Sequence, residues 1–369
     1  MRIMTTRQAM LAAATAAVLL MRPTVPLAQP AADPRVYVCY RAISSINVDG
    51  RLDDGAWRDA PWTDDFVDIE GDRKPRPALR TRAKMLWDDT YFYIGAEMEE
   101  PRLWATLTRH DSVIFRDNDF EFFIDPNGDN HEYYEFEINA LGTGWDLLLP
   151  YPYKDGGKAV DNWEIAGLKS AVHLDGTLND VSDTDRGWSV ELAVPWSVLG
   201  ELARRPSPPA EGDQWRVNFS RVEWALEAEG RTYRKVEGRK ENNWVWSPQH
   251  VVDMHRPESW GYVQFSHGRT GTVRFAPDLS LPARRWLHQV YYAQRDYRQA
   301  NERWASTLEQ LGVPPPGGAL ASPSLQVAGS LFQASIDLRL PDGKTQRWNI
   351  RQDSLVWNTA APPPGSGLL

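Results

Sequence analysis

Phe120-Glu-Phe-Phe-Ile-Asp125 and Tyr133-Tyr-Glu-Phe-Glu-Ile-Asn-Ala140 are two short runs separated by Pro126-Asn-Gly-Asp-Asn-His131. A strand sends successive side chains to opposite faces, so these runs sort themselves. Phe120, Phe122 and Ile124 share one face with the core, and Glu121, Phe123 and Asp125 take the other. In the second run Tyr134, Phe136, Ile138 and Ala140 oppose Tyr133, Glu135, Glu137 and Asn139. The intervening Pro, Asn, Gly and Asp favour a turn, so the pair reads as a hairpin.

The same grammar extends outward. Arg80–Trp87 and Tyr91–Met98 flank Asp88-Asp89-Thr90, and Gly187–Val194, Gln214–Glu223 and Gly261–Ser266 continue the series. Trp188, Val190, Leu192 and Val194 read as core, as do Trp215, Val217 and Phe219. Many short strands with few long helical periods predict an all-β, antiparallel β-sandwich over residues 34–267. The polar faces, rich in Glu, Asn and Arg, suit either solvent or the hydroxyls of a sugar.

Residues 268–369 read as an accessory segment. Trp286, Val290, Ala293, Tyr297, Ala300, Trp304, Leu308 and Leu311 recur at helical spacing and predict a helix over 281–311. A Pro- and Gly-rich linker follows, then a β-hairpin over 324–357 that turns at Pro341-Asp-Gly343. A single apolar stripe predicts packing on the sandwich in preference to a dimer contact.

The chain opens with Arg2 and Arg7, an apolar run from Ala9 to Met21, and small residues up to Ala28. This pattern predicts a signal peptide over 1–28, too short to span a bilayer, and an exported protein, periplasmic or extracellular. The net charge of -9 argues against nucleic acid and anionic membranes as partners. The one cysteine, Cys39, excludes an intrachain disulfide and reads as a buried strand thiol.

Seventeen tryptophans is a high count; most read as core, but flat aromatic rings also stack on the C–H faces of sugars. Trp57, Trp87, Trp188 and Trp215 lie in or beside apolar runs and are assigned to packing. Trp244 and Trp246 lie in the polar run Asn242-Asn-Trp-Val-Trp-Ser-Pro248 and are candidates for a ligand. Asp125, Asn127 and Asp129 place oxygens at alternate positions and are candidate calcium ligands, with a plain hairpin turn as the other reading. Asp88 and Asp89 form a weaker acidic pair. No His-Glu-x-x-His, phosphate loop or nucleophile elbow occurs.

An ordered set of strings carries a resemblance. Ile46-Asn-Val-Asp-Gly50, Leu52-Asp-Asp-Gly-Ala-Trp57, Leu86-Trp-Asp-Asp89, Asp117-Asn-Asp-Phe-Glu-Phe-Phe-Ile-Asp125, Gly187-Trp-Ser-Val-Glu191, Val194-Pro-Trp196, Trp246-Ser-Pro248 and Trp260-Gly261 resemble carbohydrate-binding module family 9 domains. The resemblance implies a calcium-bearing β-sandwich appended to glycan-degrading enzymes and non-catalytic carbohydrate binding in polysaccharide catabolism. It implies ligand roles for Trp246, Phe115, Glu121 and Asn139. Glu137 stands where the family has an arginine, a reversal of charge. One rival reading is a glycoside hydrolase using Glu121 and Glu137 as its carboxylate pair. Another is a haem-binding domain of DOMON type, with Met98, Met254 and His255 as its possible ligands, although no haem motif is present and no haem is expected.

Overall fold

A computed structural model of the chain describes residues 33–359. The signal-peptide reading of residues 1–28 lies outside the described residues. Fourteen strands precede the accessory segment. They are β1 (Val36–Arg41), β2 (Val67–Asp68), β3 (Thr81–Trp87), β4 (Tyr91–Glu99), β5 (Asp119–Asp125), β6 (Tyr133–Asn139) and β7 (Gly144–Leu149). β8 (Lys169–Asp175), β9 (Gly187–Pro195), β10 (Gln214–Glu223), β11 (Leu226–Glu229), β12 (Thr232–Lys235), β13 (Asn242–Val245) and β14 (Gly261–Ser266) follow.

The main sheet runs in the order β7-β6-β5-β10-β14-β1-β3-β4-β9-β8, with β13 and β2 added beside β10. Phe120, Phe122, Ile124, Phe136 and Ile138 from one half of this path share a core with Met85, Trp87, Ile94, Val190 and Leu192 from the other. The path curls until its halves face each other, which gives the sandwich. The expected all-antiparallel pairing holds except at β1, which runs parallel to both β14 and β3. Strand pattern encodes which face is buried but not which neighbour a strand takes. Cys39 is fully buried on β1, and Trp57, Trp87, Trp188 and Trp215 are buried as packing residues.

The predicted helix is shorter than its apolar stripe. α1 (Gly55–Asp59) and α2 (Trp196–Ala203) are brief, and α3 spans Leu281–Asn301. Glu302 takes the left-handed conformation at φ 57 and ends α3. Ala300 is exposed, while Trp304 folds back and packs on Phe332 at 4.9 Å. The buried Gln294 side chain fixes this reversal: it donates to Ala305 O and accepts from Ala305 N, both at 2.9 Å. The stripe thus continues through a turn and not through helix. The predicted hairpin over 324–357 is the centre of a four-stranded sheet, β15 (Leu320–Ala328), β16 (Leu331–Arg339), β17 (Thr345–Arg351) and β18 (Val356–Asn358), in that order. Trp286, Val290 and Tyr291 of α3 bury against Ile336, Trp348 and Ile350.

This segment docks on the sandwich through polar contacts. Asn130 donates to Ser354 O at 2.9 Å, and Val356 N donates to Asp129 O at 3.1 Å. Arg295 pairs with Asp155 at 2.7 Å. His288 Nδ1 lies 2.8 Å from Arg284 O and its Nε2 lies 2.9 Å from Asn130 Nδ2. A carbonyl on one nitrogen and an amide donor on the other fix a neutral ring protonated at Nδ1. Burial lowers its pKa to about 4. The unfolded state therefore binds a proton that the folded state refuses between the ordinary histidine value and about 4. Stability from this residue is present above about 6.5 and is lost as pH falls, by on the order of 3 kcal/mol at the acid end. In thermal melts across this window, His288→Gln should flatten the acid-side decline relative to wild type. Parallel curves for the two proteins would contradict the assignment.

Candidate functional site

β5, β6 and β10 lie side by side, and their polar faces point away from the main core. Glu121 faces Glu137 across β5 and β6, and Phe123 faces Glu135. On the other side of β5, Ser220 faces Glu121 and Asn218 faces Phe123. Sequence alternation leaves this face open to solvent, but every residue of β5 and β6 is buried. The cover is a second, small core of Phe123, Tyr133, Leu147, Leu149 and Trp260, with Trp145 and Met254 packed against it.

Four carboxyl groups lie beneath that cover: Asp119, Glu121, Glu135 and Glu137, none more than 4% exposed. Ligand oxygens of Asp119, Glu121 and Glu137 all lie within 4.8 Å of one another. Burial lifts the Glu121 pKa to about 7 and those of Asp119, Glu135 and Glu137 well above the usual carboxylate range. For the last three, repulsion from Glu121 adds to the burial effect. The Ser220 hydroxyl lies beside Glu121 and favours its charged form, but its Oγ completes no well-formed hydrogen bond. Asp119 Oδ2, Glu135 Oε2 and Trp145 Nε1 are likewise buried and unpartnered.

Two exposed aromatics accompany the carboxylates. Phe115, 39% exposed, lies on a short 3-10 turn and its N–H donates to Glu137 Oε2 at 2.8 Å. Trp224 Nε1 donates to the carbonyl of Phe115 at 2.9 Å and holds that turn in place. Tyr153, 44% exposed, packs edge-on against His255 at 4.4 Å, and His255 Nε2 lies 4.0 Å from Glu135 Oε2. Burial lowers the His255 pKa to about 4, so its ring carries no charge to balance the carboxylates near neutral pH.

The structure thus brings Phe115, Glu121 and Glu137 together. Three other candidate ligand residues are buried or already fully bonded by the fold. Trp246 is 1% exposed and packs in the main core against Phe219. A Cβ on Gly261 would come within 2.4 Å of the Trp246 ring, so glycine there lets the indole rest on backbone. No face of Trp246 is open for stacking. Trp244 is 6% exposed and lies under the Arg221 guanidinium at 5.2 Å. Asn139 is also committed elsewhere. Its Nδ2 donates to Leu107 O and Asp117 Oδ2, and its Oδ1 accepts from Leu141 N and Thr143 N. That exhausts the capacity of an amide and makes Asn139 the lock of the turn after β6.

The calcium expectation at Asp125, Asn127 and Asp129 does not fit the turn. Asp125 accepts from Gly128 N and Asn130 N, Asn127 Oδ1 from Asp129 N, and Asp129 from His131 N and Asn127 Nδ2. Arg284 also reaches the turn, donating to Gly128 O. These oxygens cap their own backbone, as in the plain hairpin reading. The hydrolase geometry fails as well. Glu121 and Glu137 are almost fully buried with oxygens within 4.8 Å, which leaves no room for a glycosidic bond between them. Among the haem candidates, Met254 and His255 border this face, but Met98 is 2% exposed within the main core.

Sequence reasoning missed Trp145, Tyr153 and Ser220. Trp145, Leu147 and Leu149 alternate along β7 and could have been read as a strand. Tyr153 in Pro150-Tyr-Pro-Tyr153 carries no periodic signal.

Residues 48–208 match the family described as carbohydrate family 9 binding domain-like. Exoglucanase XynX of Acetivibrio thermocellus is 29% identical over 154 residues, which is 41% of this chain and 12% of that protein. Endo-1,4-beta-xylanase A of Thermoanaerobacterium saccharolyticum is 28% identical over 116 residues, 31% of this chain and 8% of that protein. The chain therefore spans a small part of either relative. A family 9 carbohydrate-binding module from Caldicellulosiruptor kristjanssonii, solved with cellotriose, superposes with a TM-score of 0.41 at 17% identity, over 65% of this chain and 100% of that one. The same organism's module solved with glucose gives 0.41 and 17%, over 64% and 100%. Phe115, Glu121, Glu137 and Tyr153 fall inside the matched residues, whereas Ser220 and Trp246 lie beyond them.

Proposed function

With residues 48–208 matching the family described as carbohydrate family 9 binding domain-like, we propose that the chain is a glycan-binding module that works through the face flanked by Phe115 and Tyr153. The matched family is a non-catalytic, carbohydrate-binding one, so the module is read as a binder and not an enzyme. One observation carries the reading. Inside the matched residues, two exposed aromatic rings flank a carboxylate floor, and stacking plus acceptors is the combination a pyranose needs. Sugar C–H faces rest on Phe115 and Tyr153, and sugar hydroxyls at the edge of the floor donate toward Glu137 and Glu121.

The relatives named as an exoglucanase and an endo-1,4-beta-xylanase make β-1,4-linked gluco- and xylo-oligosaccharides the first probes. The module acts outside the cytoplasm beside glycan-degrading enzymes, in keeping with the apolar opening of the sequence. Among the described residues no helix is long and apolar enough to cross a membrane.

A glycan array followed by calorimetry tests the proposal. Tyr153→Ala should weaken binding by about 1–3 kcal/mol, the usual effect of truncating an aromatic contact. A broad array without a single carbohydrate hit would sink the reading.

A further inference from the structure

We propose that Asp119, Glu121 and Glu137, with the Ser220 hydroxyl, hold one divalent cation of the calcium class. The site goes beyond the glycan reading and does not depend on it.

Three observations converge. First, the oxygens of the three carboxylates lie within 4.8 Å of one another, the span of oxygens that share one ion. Second, these carboxylates are 0–4% exposed, and among the described residues none of the three pairs with a lysine or arginine. The buried Arg221, next to Ser220 on β10, is spent on Glu100 at 2.9 Å and Glu223 at 2.8 Å. Burying several like charges without a cation is strongly unfavourable. Third, the Ser220 Oγ is fully buried, faces Glu121 across the strand pair and lacks a hydrogen-bond partner. Asp119 Oδ2, in the same carboxylate cluster as Glu121, is also buried and unpartnered. A hydroxyl facing Glu121 and a carboxylate oxygen grouped with it, both left free, are donors for a hard ion.

The chemistry of the donors selects the ion. All are oxygens, with no imidazole or thiolate among them, which favours calcium over zinc or copper. The grouped oxygens lie beneath the edge at which a sugar would rest, drawn together within 4.8 Å. Glu137 would bridge the two features, since its other oxygen accepts from the N–H of Phe115.

The test is calorimetry of calcium chloride into chelator-treated full chain, with thermal melts alongside and no sugar present. Wild type should take up one calcium per chain and melt higher with calcium, because an ion bound only to the folded state stabilises it. Glu121→Gln and Asp119→Asn should weaken the affinity by about tenfold or more. Asp125→Asn, in the self-capped turn, and Asp146→Asn, whose buried carboxylate groups with His110 and Glu164 apart from the three ligands, should bind as wild type does. If wild type gives neither heat nor a shifted melt up to millimolar calcium, the site is refuted. It is equally refuted if Glu121→Gln and Asp119→Asn, folded by circular dichroism, bind as wild type does. Should those variants fail to fold, Ser220→Ala decides: a severalfold weaker affinity supports the site and an unchanged one overturns it. Calcium uptake in a protein with no glycan hit would leave the ion site standing and remove the glycan reading. Glycan binding in a protein that ignores calcium would do the reverse.

Discussion

Trp246→Ala should behave as a core deletion, lowering stability by about 3–5 kcal/mol, the range for removing a buried large aromatic. The indole is 1% exposed, packs 5.9 Å from Phe219 and rests on the backbone of Gly261. Little around it can collapse, because Phe219 is itself clamped by Phe120 at 5.7 Å and Phe66 at 6.5 Å. Urea melts measure the loss directly. A folded variant of wild-type stability would show that the ring faces solvent and restore it as a stacking residue.

Arg221→Ala should cost a similar amount, about 3–5 kcal/mol, for a different reason. Arg221 is 1% exposed and its guanidinium binds Glu100, Glu223, Thr81 Oγ1 and the carbonyl of Glu99. Removing it leaves two buried carboxylates without their counter-charge, with Glu100 still accepting from Asn118 Nδ2 and Arg102 N. Burial pushes the Glu223 pKa up to about 8 even with Arg221 present, so the ion pair does not fully offset the desolvation of the carboxylate. Arg221→Met with Glu100→Gln and Glu223→Gln should therefore recover part of the loss. A single variant within about 0.5 kcal/mol of wild type would contradict this account.

The sandwich was legible because β5, β6, β9 and β10 bury one face, and a two-residue period records that directly. The parallel pairing of β1 was not legible, since Val36-Tyr-Val-Cys-Tyr40 specifies burial without naming a neighbour. The site was legible only in part. Phe115, Glu121 and Glu137 came from ordered resemblance and do meet in space. Trp246 misled because its neighbours Asn242, Asn243, Ser247 and Pro248 are polar. Those polar groups are bound by the fold itself: Ser247 Oγ donates to Ser259 O, and Asn242 donates to Glu223 O. Asn139 and the Asp125–Asn130 turn misled in the same way. Short polar side chains near turns bond their own backbone, and sequence alone does not distinguish that from ligand binding.

Hydrogen exchange on the chain saturated with its tightest-binding oligosaccharide tests the central claim most directly. The account predicts slowed exchange at amides of the Phe115 turn and the Tyr153 loop. A separate depression of about 490 Å³ lined by Arg41, Trp87, Pro209 and His267 should be unaffected. Slowed exchange at that depression, with none at Phe115 or Tyr153, would contradict it.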